Sequence, residues 1–215
     1  MELCSIPLSQ SIQGLRLRAE NTIEYGQSEY YKRLVVVSPR KHAIRYQNGS
    51  KLYPLVTKLI DIEFPYQFWV NVFRLNVNTQ QYIYYSSSLT FSPFNLHEKS
   101  RKQSLYSVWL PNMLSTQSIC WGNASNAAFY TPLDKKDMSN HFFMIYESLW
   151  SSIFNSNAGL KNLRSESMIY TVSNYLEFVA SYNDEITNPK SKFYKDHAIA
   201  TMNQSEFLES FNKNI

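Results

Sequence analysis

The chain has 215 residues, of which 44% are hydrophobic and 15% aromatic, and this is enough apolar material to build one domain with a core, or one domain with an extension. The presence of only 5 glycines argues against a glycine-rich phosphate-binding loop, and a net charge of +4 is too mild to argue for nucleic-acid binding. No apolar run reaches the roughly 18 residues of a transmembrane helix.

The first half of the chain is predicted to form strands. Leu15 to Ala19 alternate between apolar and polar residues, Leu34 to Val37 are apolar and mostly β-branched, and Asn48-Gly49 is a hairpin signal after a short strand. Residues 55–75 are strongly apolar and are split by Pro65, so they fit either two strands or a short helix and a strand. Further strands are predicted at 79–93 and 105–110.

In the second half of the chain, the spacing of the apolar residues changes from that of strands to that of helices. Spacings of three and four between apolar residues predict an amphipathic helix over 139–154, capped by Asp137 or Ser139, and a second helix over 165–182. Residues 155–164 are interpreted as a polar connection between these helices, residues 183–203 are polar and contain Pro189, and 204–213 are interpreted as a last short helix. Strands followed by helices indicate an α+β fold, with an antiparallel meander before C-terminal helices.

The chain has two cysteines, Cys4 and Cys120, which do not make a disulfide framework. The first ten residues lack the basic and apolar regions of a signal peptide. These observations predict a cytoplasmic, reducing environment. A lone cysteine in such a compartment is most often a small buried hydrophobic residue.

Cys120 lies in a central loop that has a motif. The loop reads Leu110-Pro111-Asn112, then seven residues ending in Ile119, then Cys120, Trp121 and Gly122. Pro111 fixes φ and lacks a backbone donor, so this stretch is a turn or an extended loop. A cysteine followed by an aromatic residue and a glycine can be partly open, as reactive thiols are.

This loop resembles the active-site segment of the ubiquitin-conjugating enzyme superfamily, where His-Pro-Asn precedes a catalytic cysteine by the same spacing. It is most similar to the prokaryotic branch, whose members often begin the motif with Leu-Pro-Asn. Such proteins are encoded in plasmid-borne clusters beside an adenylating enzyme and a metal-dependent isopeptidase. The resemblance implies three segments: 1–50 as a β-rich N-terminal extension or the start of the sheet, 51–183 as the conjugating-enzyme-like domain, and 184–215 as a polar tail with a short helix.

The resemblance also implies a chemistry. Cys120 would be the nucleophile that carries a ubiquitin-like modifier as a thioester, and Asn112 would stabilise the oxyanion or hold the loop. Pro111, Leu110, Trp121 and Gly122 would shape the loop, with Leu110 in the place of the family's histidine. The implied partners are an adenylating enzyme, the modifier and a target protein. No cofactor, metal, membrane or nucleic acid is expected.

Two features depart from the family. The acidic residue that many members place about thirty positions after the cysteine is missing from residues 151–155, and Asp134 or Asp137 would have to replace it. The N-terminal helix that docks the adenylating enzyme is not evident.

Three other functions compete with this one. The chain could be an inactive conjugating-fold protein that binds a partner, or a cysteine hydrolase that pairs Cys120 with His141, interpreted as a surface or capping residue, or with His197. It could also be a structural or assembly protein, viral for example, that makes contacts through Tyr30-Tyr31 or residues 82–85. The four histidines and two cysteines show no metal-ligand spacing.

Overall fold

The computed structural model describes residues 3–4, 8–12, 15–26, 30–48, 56–96, 101–111, 113–114, 117–121, 127–154 and 172–212. The fold is mixed α+β, as predicted, with strands in the first half and most helices in the second. No helix in these ranges is long and apolar enough to cross a membrane.

The larger sheet has eight strands: β1 (Leu3–Cys4), β2 (Leu8–Ile12), β3 (Leu15–Gly26), β4 (Tyr30–Val37), β7 (Tyr66–Asn76), β8 (Gln81–Ser92), β9 (Ser104–Ser107) and β11 (Ala200–Asn203). It is antiparallel throughout, in the order β1-β3-β4-β7-β8-β9-β11, with β2 paired to β3. The bounds of β4 include the predicted run from Leu34 to Val37.

A smaller sheet packs beside it. Its strands are β5 (Arg40–Asn48), β6 (Val56–Phe64) and β10 (Ile153–Phe154), in the order β10-β5-β6. β5 and β6 are antiparallel neighbours in which Asn48 pairs with Val56. Residues 49–55 lie outside the described residues, so the turn that Asn48-Gly49 predicts stays a prediction. The chain changes sheets at the buried Pro65, so the two-strand alternative for residues 55–75 is the correct one.

The helices follow. They are α1 (Met138–Ser151), α2 (Val172–Ala180), α3 (Asn183–Ile186), α4 (Lys192–Asp196) and α5 (Gln204–Asn212). α1 and α5 confirm two predicted helices, and α2 lies within the third, whose first residues are outside the described ranges. Asp137 occupies the N-cap position of α1, but its side chain makes no capping bond.

The sequence predicts no helix or strand in residues 183–203, but the structure contains three such elements there. The segment contains α3, α4 and β11, and Phe193, Tyr194 and Ala198 are buried in the main core. These apolar residues are separated by lysines and aspartates and are too few to show a helical period, so only their tertiary contacts reveal them.

The larger sheet is apolar on both faces. Val35 and Val37 point into the main core, between the larger sheet, the smaller sheet and the helices, whereas Leu34 and Val36 point to the opposite face. Alternate residues of a strand face opposite sides, so burial on both sides explains the continuous apolar run of β4. α5 covers the second face with Phe207 and Phe211.

The strands pair across the predicted boundary at residues 50 and 51. β4 pairs with β7, and β5 pairs with β6. The division into three segments stays a prediction.

Candidate functional site

The loop that carries Cys120 starts from the core. After β9 ends, the chain passes through Val108, Trp109, Leu110 and Pro111, all of which are buried. The Trp109 ring lies 4.7 Å from that of Phe91, centroid to centroid. The entry to the loop is therefore fixed by packing, and Leu110 contributes to the core.

The second half of the loop adds to the edge of the sheet. Ile119 N donates to Ser87 O over 3.0 Å, and Leu89 N donates to Gln117 O over 3.0 Å. Ser88 forms an isolated antiparallel bridge with Ser118, and Met113 bridges Ile119. β9 pairs with β8 only farther along, at Thr90 and Phe91. Residues 117–119 thus continue the edge next to β9 and place Cys120 directly after a hydrogen-bonded segment.

Gln117 holds this arrangement together. Its backbone is left-handed, with φ of 62°. Its side-chain Oε1 accepts from Val108 N over 2.9 Å, and its Nε2 donates to Ser107 Oγ over 3.1 Å. The side chain therefore ties the loop back to the end of β9. The sequence gives no signal for this role, because it depends on a contact between segments.

Cys120 is a free thiol and is half-buried. It is therefore neither a fully buried core cysteine nor a fully exposed one. Ile119, just before it, is buried, and Trp121, just after it, packs against the buried Phe129 with ring centroids 5.0 Å apart. The thiol lies between two anchored neighbours, which limits the positions that it can take.

A chain of hydrogen bonds runs inward from Trp121. The indole Nε1 donates to Tyr84 Oη over 3.1 Å, and Tyr84 Oη donates to Ser87 Oγ over 2.9 Å. Ser87 Oγ in turn donates to Asn71 Oδ1 over 2.6 Å. Burial raises the pKa of Tyr84 to about 12, so its hydroxyl stays protonated and remains a donor at neutral pH.

The structure describes four of the predicted site residues: Leu110, Pro111, Cys120 and Trp121. Asn112 and Gly122 lie outside the described residues, so their predicted roles stay predictions. Asp134 and Asp137 are both exposed near the start of α1, and Asp134 forms an exposed ion pair with Lys136 at 3.7 Å.

The histidines have partners of their own. His141 is buried, so its interpretation as a surface or capping residue is wrong, and its Nε2 lies 2.8 Å from Phe129 O. His197 Nε2 lies 3.1 Å from Tyr182 Oη. Within the described ranges no hydrogen bond joins either histidine to Cys120, and a cysteine–histidine dyad gains no support.

The same ranges contain no group of three or more histidine, cysteine, aspartate or glutamate residues that could hold a metal ion. No protein-family model, curated protein or solved structure matches the chain. Function is therefore inferred from the residues around Cys120 and from the motif that contains them.

Proposed function

We propose that this protein carries a ubiquitin-like modifier as a thioester on Cys120 and passes it to an amine of a target protein. The proposal includes a conjugating-enzyme-like fold for the sheet, the loop and the helices that follow. One observation carries it: a half-buried free thiol directly follows a segment that is hydrogen-bonded to β8. A nucleophile that must accept a large acyl group needs access on one side and fixed geometry on the other.

The chemistry comprises two acyl transfers. In the first, the Cys120 thiolate attacks the thioester carbonyl carbon on the activating enzyme, a new C–S bond forms, and the enzyme's thiolate leaves and takes up a proton. In the second, an amine attacks the Cys120 thioester, a C–N bond forms, the C–S bond breaks, and the amine loses a proton. Both steps pass through a tetrahedral oxyanion, and in the second step a nearby amide, here assigned to Asn112, would stabilise it.

The proposal expects genes for an adenylating enzyme and a ubiquitin-like modifier beside the gene of this chain, and the test is reconstitution with those two proteins. Wild-type protein is expected to form an adduct that a thiol reductant removes, and mass spectrometry should locate it on Cys120. Cys120→Ser should form no such adduct or, at most, a more stable oxyester. The matched control is Cys4→Ser, because Cys4 is the other cysteine of the chain, and this variant should load as wild type does.

Asn112 is tested in the same system. Asn112→Ala should still accept the modifier but should transfer it to an amine about 100-fold more slowly, the usual effect of removing one oxyanion donor. If Cys120→Ser accepts the modifier as well as wild type, the thioester proposal is wrong.

A second candidate, protein binding without thioester chemistry, is favoured by a different observation. Val77 and Tyr85 are each 60% exposed near the end of the β7–β8 hairpin. Leu75, Val77 and Ile83 also line an open depression there. Exposed apolar patches often mark protein contacts. A partner that binds Cys120→Ser and wild type equally, but binds Val77→Asp more weakly, would support this candidate.

A further inference from the structure

The three hydrogen bonds that lead from Trp121 to Asn71 all run in one direction. An indole N–H can only donate, and the side-chain carbonyl of Asn71 can only accept. With a donor at one end and an acceptor at the other, the hydroxyls of Tyr84 and Ser87 must both point inward. Each bond polarises the next, so the chain acts as one unit and not as three separate contacts.

The series of hydrogen bonds begins at the residue that follows Cys120 and ends inside the sheet. Tyr84 is 3% exposed, Ser87 is 2% and Asn71 is 0%. The same Ser87 accepts a backbone bond from Ile119, the residue before Cys120. Ser87 therefore takes part in holding both neighbours of the cysteine, Ile119 directly and Trp121 through Tyr84.

Packing fixes Tyr84 itself. Its ring makes contacts with those of Phe73, Phe129, Tyr130 and His141, at centroid distances of 6.1, 5.9, 5.9 and 5.5 Å. A ring held on these sides cannot rotate to follow a moving indole. The hydroxyl is a fixed point to which Trp121 is attached.

We propose that Tyr84 is a positioning residue for Cys120, acting through Trp121: its hydroxyl holds the indole of the residue that follows the cysteine, and so sets the position of the thiol and the access of water and of reactants to the sulfur. The inference rests on the proposed function for its biological meaning, since a thioester hydrolyses more slowly when water is kept away from it. Tyr84 lies on β8, and the sequence motif around Cys120 gives no clue to its role. Its hydrogen bond with Trp121 joins residues that are 37 positions apart in the chain.

The first experiment measures the rate at which iodoacetamide alkylates Cys120, which needs neither the modifier nor the activating enzyme. Tyr84→Phe keeps the ring but removes the hydroxyl. The alkylation rate should rise about two- to tenfold, the ratio that the loss of one hydrogen bond implies. Tyr175→Phe is the matched control, because Tyr175 is fully buried and its hydroxyl has no partner among the described residues; its alkylation rate should equal that of wild type.

A double-mutant cycle separates positioning from general loosening. Trp121→Phe has no indole N–H, so adding Tyr84→Phe to it should change the alkylation rate no further. Additive effects would overturn the inference, and so would a wild-type rate in Tyr84→Phe. If Tyr84→Phe does not fold, Ser87→Ala takes its place, because it removes the acceptor that orients the Tyr84 hydroxyl, and its alkylation rate must also rise.

A second measurement links the result to the proposed function. Loaded Tyr84→Phe should lose its modifier to water about two- to tenfold faster than loaded wild type, while loaded Tyr175→Phe should not. If wild type never loads, the proposed function fails, but the alkylation rates still decide the role of Tyr84. If wild type loads and Tyr84→Phe is unchanged in both assays, the role of Tyr84 is wrong and the proposed function stands.

Discussion

Gln117 offers a test of how the cysteine loop is built, because its backbone and its side chain act in opposite directions. A left-handed backbone costs a residue with a Cβ roughly 1–2 kcal/mol. Its two side-chain hydrogen bonds, to Val108 N and Ser107 Oγ, return about 1 kcal/mol each. Gln117→Ala keeps the cost and loses both bonds, so its free energy of unfolding should fall by about 2 kcal/mol.

Gln117→Gly should behave differently. It loses the same two hydrogen bonds but removes the cost of the left-handed backbone. The greater freedom of glycine in the unfolded chain cancels about 0.5–1 kcal/mol of that gain in stability. The glycine variant should therefore be destabilised by only about 1 kcal/mol. The glycine variant is thus expected to be more stable than the alanine variant, which is the reverse of the usual order inside a strand or helix.

Urea unfolding at 25 °C measures these differences. Gln80 is the matched control, because it also has a positive φ, 55°, in the exposed turn between β7 and β8. Its one side-chain bond, to Val77 O, is exposed to solvent. Gln80→Gly should be neutral or stabilising. An alanine at position 117 as stable as glycine, or a wild-type unfolding curve for both, would refute the account of the loop.

Two further predictions concern the scaffold. His42 is stacked on Trp150, and burial, together with the nearby charge of Arg40, lowers its pKa to about 3. Unfolded His42 takes up a proton near pH 6.5 and folded His42 does not, so its contribution to stability is complete above pH 6.5 and falls by roughly 1.4 kcal/mol per pH unit below it. Between pH 7 and pH 5, the free energy of unfolding of His42→Gln, measured in urea, should therefore fall by about 2 kcal/mol less than that of wild type. Equal losses in the two proteins would contradict this. The side chain of Asn183 is hydrogen-bonded to the edge of β6, where it accepts from Glu63 N over 2.7 Å and donates to Asp61 O over 2.8 Å. Asn183→Ala should therefore lower the hydrogen-exchange protection of the Glu63 amide about tenfold. Unchanged exchange would show that the contact is not stabilising.

The parts of the fold that the sequence predicts are those with a local pattern. The run Leu34 to Val37, the split at Pro65 and the three-four spacing that begins near Phe142 each mark an element that the structure contains. Each of these signals depends on residues close together in the chain, where backbone preference and burial agree.

The parts that the sequence does not predict depend on contacts between distant segments. Phe193 and Tyr194 have no periodic neighbours, yet they complete the core. His141 has the sequence context of a polar surface residue near a helix start, but it is buried and the carbonyl of Phe129 is its partner. At the candidate site the motif indicates Cys120, whereas Gln117 and Tyr84, which hold the loop around it, are recognised only by their hydrogen bonds.

The position of α5 has a consequence for synthesis. Lys32 Nζ donates to Phe211 O over 3.3 Å, and these residues are 179 positions apart in the chain. At 5–20 residues per second, a ribosome takes roughly 10–40 seconds to cover that interval. During this time Leu34, Val36 and Phe68 have been made, but the helix that covers them has not. Until α5 has been made, these residues of the nascent chain lack the helix that covers them, so protection from aggregation is needed throughout that interval.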